Sequence, residues 1–148
     1  MESNTTGKIE LTLLKVIMAL FFAIISLLAI FVYPNLLDFY PSMQPQIRPH
    51  IYLFIMGLYG QSFAWLLIIL VLSQLLTKLY IKLHIVKEIR RLSVLLIWNT
   101  GFSFLILPLV YVVAEADDAP GIIFIAGLYV LFHFGLYVLH RFLCKATR

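Results

Sequence analysis

Four stretches of the chain are apolar for long enough to cross a bilayer, at roughly residues 16–33, 51–77, 92–114 and 120–139, with polar or basic residues between them. A helix needs about 20 mostly apolar residues to cross the hydrocarbon. Each run is continuous, unlike the alternating segments of roughly 10 residues that build membrane barrels. The pattern predicts an all-α polytopic membrane protein with four transmembrane helices, folded as one domain over residues 1–148. The first run stops at Tyr33-Pro34. It exceeds the 7–15 apolar residues, roughly, of a cleaved signal, and no small-residue cleavage site precedes Pro34, so it reads as a retained anchor.

Charge then orients the spans. Lys8 and Lys15 precede the first; Lys78, Lys82, Lys87, Arg90 and Arg91 lie between the second and third; Arg141, Lys145 and Arg148 follow the fourth. Ten of the eleven basic residues thus fall on one side, leaving Arg48 on the other with Asp38, Glu115, Asp117 and Asp118. By the positive-inside rule both termini face the cytoplasm. Composition agrees: 63% of residues are hydrophobic, 12% are charged and the mean hydropathy is +1.02. A soluble domain would carry about 25% charged residues, so a water-soluble globule is excluded, and so is disorder. The net charge of +4 follows from topology, and no recognition motif accompanies it, so direct nucleic-acid binding is not expected. A single cysteine, Cys144, excludes a disulfide framework and a multi-cysteine metal site.

Three places hold candidate chemistry. The basic connection places Leu79, Ile81, Ile85, Val86, Ile89 and Leu92 on one helical face and its charges on the other. This predicts an imperfect amphipathic helix lying among inner headgroups, with Lys82, Lys87, Arg90 and Arg91 anchoring to lipid or docking a cytoplasmic partner. Within the membrane, His133 is the one ionisable residue deep in a span. Tyr129, His133 and Tyr137 share a face at spacings of four, and Asn99 and Ser103 form a similar pair on the third span. Asn99 and His133 lie at matching depth, about 12 Å above the basic residues, so a hydrogen bond between them is expected if their helices pack. Gln61 and Ser62 lie nearer the outer half of the second span. This seam is either a structural hydrogen bond, from His133 to Asn99 or Tyr129, or a pH- or ligand-responsive site. Ala19-x-x-x-Ala23 and Gly60-x-x-x-Ala64 permit close helix contact, and Pro108 should kink the third span.

The third place is an acidic turn, Glu115, Asp117 and Asp118, read as a helix cap with Asp118 at the N-cap and Pro120 in the first turn; divalent cation binding is the alternative. The surrounding segment, Leu107 to Ile123, carries Ala-Glu-Ala-Asp-Asp-Ala-Pro-Gly-Ile-Ile after a proline-containing span. It resembles the bacterial four-span family called domain of unknown function 2975, as do Leu14-Lys15-Val16 entering the first span and the basic connection before the third. Members of that family have no established activity and are often encoded beside a small helix-turn-helix regulator. The resemblance therefore implies a non-enzymatic membrane sensor or anchor that restrains such a regulator, with residues 78–91 as the docking surface.

The motifs agree with a non-enzyme: there is no nucleophile elbow, no H-E-x-x-H, no phosphate-cradling glycine loop and no deep carboxylate pair. No cofactor or metal is expected. The expected partners are the lipid bilayer, a helix-turn-helix regulator and a second copy of the chain. A small transporter or channel subunit, or an immunity protein against a membrane-active peptide using the outer loop with prolines at 34, 41, 45 and 49, is the alternative.

Overall fold

A computed structural model describes residues 2–35, 48–81, 85–116 and 119–146. These residues are almost wholly helical: α1 covers Glu2–Leu27, α2 Arg48–Tyr80, α3 Val86–Phe104, α4 Leu107–Ala116 and α5 Pro120–Ala146. Four of the resulting segments are long and apolar enough to cross a membrane: Gly7–Asn35, Pro49–Tyr80, Val86–Glu115 and Pro120–Lys145. All four predicted spans are present, and each is longer than its apolar run because flanking polar residues continue the helix.

Two breaks have identifiable causes. At the end of α1, Leu28–Val32 widen into a π turn, in which the Tyr33 N–H bonds back to the Leu28 carbonyl. Pro34 follows, without an N–H and with a ring that would strike the carbonyl one turn earlier, and a π turn relieves that conflict. The helix then continues to Asn35 rather than stopping at Tyr33-Pro34, and the Asn35 Nδ2 caps the Phe31 carbonyl at 2.7 Å. In the third span the chain breaks at Leu105 and Ile106, just before Pro108, as expected of a kink. The Leu105 and Ile106 N–H groups make tight bonds to the Phe102 and Ser103 carbonyls, at 3.2 and 3.3 Å, before α4 resumes the helix.

Packing follows chain order. α1 lies on α2, α2 on α3 and α4, and α3 and α4 on α5. Close approach of α2 to the α3–α4 break depends on Gly57: a Cβ there would meet the Phe102 carbonyl oxygen at 3.0 Å and Leu105 at 3.1 Å. Gly60 lies under the Phe102 ring, and Ala64 is buried, so the predicted small-residue contact of the second span is real. The predicted contact of the first span is not: Ala19 and Ala23 are exposed on the lipid-facing surface of α1.

The basic connection also departs from expectation. α2 runs on to Tyr80 and α3 begins at Val86, so among the described residues no separate amphipathic helix stands between them. Lys78 ends one spanning helix, and Lys87, Arg90 and Arg91 begin the next. A spanning helix continued by another turn keeps its backbone bonded; a third, surface-lying helix would need two extra sets of caps. Across this connection the Lys78 Nζ donates to the buried Glu88 carboxylate at 2.5 Å, tying the two helices together.

Candidate functional site

Two apolar clusters divide the bundle into levels. One joins Ile51 and Ile55 of α2 to Leu109 of α4 at the acidic end; the other joins Ile68 of α2 to Leu92 and Leu96 of α3 toward the basic end. Between them lies a polar layer. Gln61, Ser62, Asn99, Thr100, Ser103 and His133 are all buried there. In lipid, apolar residues gain nothing by facing one another rather than the hydrocarbon, whereas polar side chains gain partners.

The centre of the layer is a ring of three hydrogen bonds, two between α2 and α5 and one within α5. The Tyr129 hydroxyl donates to Gln61 Oε1 at 2.8 Å. The Gln61 amide nitrogen then faces His133 Nε2 at 3.3 Å, and His133 Nδ1 faces the carbonyl of Tyr129 at 2.8 Å. One assignment satisfies every group: Nδ1 carries the proton and donates to the carbonyl, leaving Nε2 to accept from the amide. His133 is enclosed by the rings of Trp65, Tyr129 and Phe132, with centroids 4.5 to 5.9 Å away. At the neighbouring position on α2, the Ser62 hydroxyl bonds the Tyr33 hydroxyl at 2.9 Å, and Tyr33 meets Tyr59 edge to face at 5.3 Å.

The predicted seam is therefore present but wired differently. Asn99 and His133 are both buried, yet His133 bonds Gln61 across the helices and the Tyr129 carbonyl within α5, so of its two expected partners Tyr129 is found and Asn99 is not. A short loop brings α4 and α5 together without setting how each helix is rotated about its axis, and that rotation decides which side chains meet. Ser103 donates to the Thr100 carbonyl at 2.6 Å within its own helix, and Thr100 to the Leu96 carbonyl at 2.9 Å. Asn99 Oδ1 is buried with no hydrogen-bond partner among the described residues. Tyr137 lies outside the layer: it packs on the Ile68–Leu92–Leu96 cluster and its hydroxyl accepts from Arg141 at 3.3 Å.

Three contributors were not given their roles by the sequence reading, although Gln61 was noted there as a polar residue of the second span. Gln61 is the hub of the layer, Tyr33 brings in the first span, and His140 forms a second polar contact near the basic end. His140 Nε2 lies 2.8 Å from Ser93 Oγ and 3.2 Å from the Ile89 carbonyl, with Cys144 Sγ at 3.5 Å. A polar pair interrupting an apolar run was the signal for Gln61; His140 was masked by the basic tail beside it.

Of the basic surface residues, Lys87, Arg90 and Arg91 are exposed, and Lys82 lies outside the described residues. The single ion pair among the described residues uses Lys78, so these three cations form no ion pair with a described carboxylate, although Arg91 also attracts the Glu88 carboxylate. In the acidic turn Glu115 is exposed at the end of α4, while Asp117 and Asp118 lie outside the described residues, as do residues 36–47 of the proline-rich loop. Pro120 opens α5 as predicted, but Ala119 is the residue before it, one position beyond the expected cap at Asp118. Among the described residues no group of three His, Cys, Asp or Glu side chains is arranged to hold a metal ion. No known protein family, curated protein or solved structure matches the chain.

Proposed function

We propose that this chain is a non-enzymatic regulatory protein of a bacterial cytoplasmic membrane, with both termini inside, that recruits or restrains a cytoplasmic partner at its basic end. The observation that carries the reading is the contrast between the two kinds of polar group. Those within the bundle are buried between two apolar clusters and bond to neighbouring helices or to their own backbone, Asn99 Oδ1 excepted. Lys87 and Arg91, at the end of the bundle, are exposed and one helical turn apart on α3. Exposed cations at fixed spacing on a rigid helix present a directional surface to an acidic partner, and such rim charges govern encounter and specificity. The resemblance to the domain of unknown function 2975 favours a small helix-turn-helix regulator as that partner.

The test is capture of the full chain from membranes in gentle detergent, followed by identification of what accompanies it. A stoichiometric DNA-binding regulator, retained by the native chain and lost when Lys82, Lys87 and Arg91 are changed to Gln at normal membrane level, supports the reading. A partnerless chain, or a regulator that stays bound to the variant, overturns it. Transport is the lesser reading, because the Ile51–Ile55–Leu109 and Ile68–Leu92–Leu96 clusters close the polar layer at both ends.

A further inference from the structure

A groove with about 540 Å³ of open volume lies between α3 and α5 at the basic end, separate from the polar layer. Its α3 wall is the stripe Val86, Arg90, Ser93, Val94 and Ile97; its α5 wall is Tyr137, Arg141, Cys144 and Lys145. From Arg90 to Ile97 the groove descends roughly 10 Å along the helix axis, about two-thirds of one leaflet of a ~30 Å hydrocarbon core. Val94 and Ile97 are strongly exposed along that descent, so its inner part is apolar, while Val86 lies on the headgroup side of Arg90.

Charge is gathered on the same groove. Arg90 comes from one wall, Arg141 and Lys145 from the other, and all three are exposed. The Arg141 guanidinium donates to the Tyr137 hydroxyl at 3.3 Å and lies 6.0 Å from the centre of its ring, which holds it over the groove. The Tyr137 oxygen accepts that bond and keeps its own hydrogen for donation. Two guanidinium forks, an ammonium and a phenolic hydroxyl suit phosphate oxygens, and an apolar trough leading into the leaflet suits an acyl chain. A soluble anion would leave the trough unused, and an apolar helix would leave the three cations unpaired.

We infer that the α3–α5 groove is a binding site for one anionic phospholipid, its phosphate held by Arg90, Arg141 and Lys145 and an acyl chain lying along Val94 and Ile97. This inference is independent of the partner reading above, which rests on Lys87 and Arg91; neither lines the groove.

The test is native mass spectrometry of the purified full chain in neutral detergent, titrated with phosphatidylglycerol or with phosphatidylcholine of the same acyl chains. Phosphatidylglycerol is expected to bind at least about tenfold more tightly, with Arg90→Gln and Arg141→Gln each lowering its affinity about fivefold. Ile97→Trp, which fills the trough and keeps every charge, should also abolish the preference. The pair Lys87→Gln and Arg91→Gln should leave it unchanged. Equal binding of the two lipids overturns the site. So does a loss that follows any basic residue alike, full preference retained by Ile97→Trp, or displacement of the lipid by millimolar inorganic phosphate.

Discussion

The first span and the α2–α3 pair occupy opposite extremes of this molecule. The first span is the most apolar, with a mean hydropathy of 2.9 over its best stretch, and none of that stretch is buried. The second and third spans are less apolar, at 2.0 and 1.8, and a third of each corresponding stretch is buried. In a soluble protein this order would be reversed, because burial there is driven by removing apolar surface from water. In a bilayer the tails are as apolar as leucine, so an apolar helix already has its preferred surroundings and needs no protein neighbour. α2 and α3 associate because glycine allows close approach and polar side chains need partners away from water. The first span is tied on by a single turn of that logic, Tyr33 reaching Ser62.

That contrast can be broken at three points. The largest effect is expected at Gly57, where any Cβ meets the Phe102 carbonyl oxygen. Gly57→Leu should destabilise the fold by about 1–3 kcal/mol, the range for overpacking, whereas Ala23→Leu on the lipid face of α1 should stay within about 0.5 kcal/mol. Unfolding midpoints in a denaturing-detergent titration compare the two, and equal shifts would show that α1 is packed as tightly as α2.

Next in size is the polar ring. Gln61→Leu and His133→Phe, measured singly and together, should show a coupling of about 0.6–1.7 kcal/mol, the average and upper range for hydrogen bonds between membrane helices. Asn99→Leu combined with His133→Phe should show none. A coupling at Asn99 in place of Gln61 would restore the pairing that helix adjacency alone suggested.

The smallest effect belongs to Tyr33→Phe, at about 0.6 kcal/mol or less by the same titration. A larger loss there than at Gln61 would make the first span part of the core.

Legibility followed the same division. Composition and continuity of apolar runs were enough for the four spans, because a 30 Å hydrocarbon slab admits few alternatives to a bonded helix. The breaks were legible wherever a proline stood: Pro108 in the first turn of α4, Pro120 opening α5, and Pro34, whose effect was a π turn where a stop was expected. His133 was identified as an unusual residue by its depth alone. Its partner across the helices was not, because pairing Asn99 with it assumed that neighbouring helices present matching faces. The amphipathic pattern of residues 79–92 was also real, but it belongs to the ends of two spanning helices; periodicity reports a helical face without saying where one helix stops and the next begins.

The chain by itself determined that this is a membrane protein, where its spans lie and which end carries the positive charge, since these depend on how residues partition between water and oil. Only the tertiary structure decided that Gln61 is the hub of the polar layer, that Gly57 seats the α3–α4 break, that Lys78 pairs with Glu88, and that Arg90 and Arg141 flank one groove. Each of those depends on the rotation and approach of helices that a uniform apolar solvent leaves free, and which close contacts between particular side chains then settle.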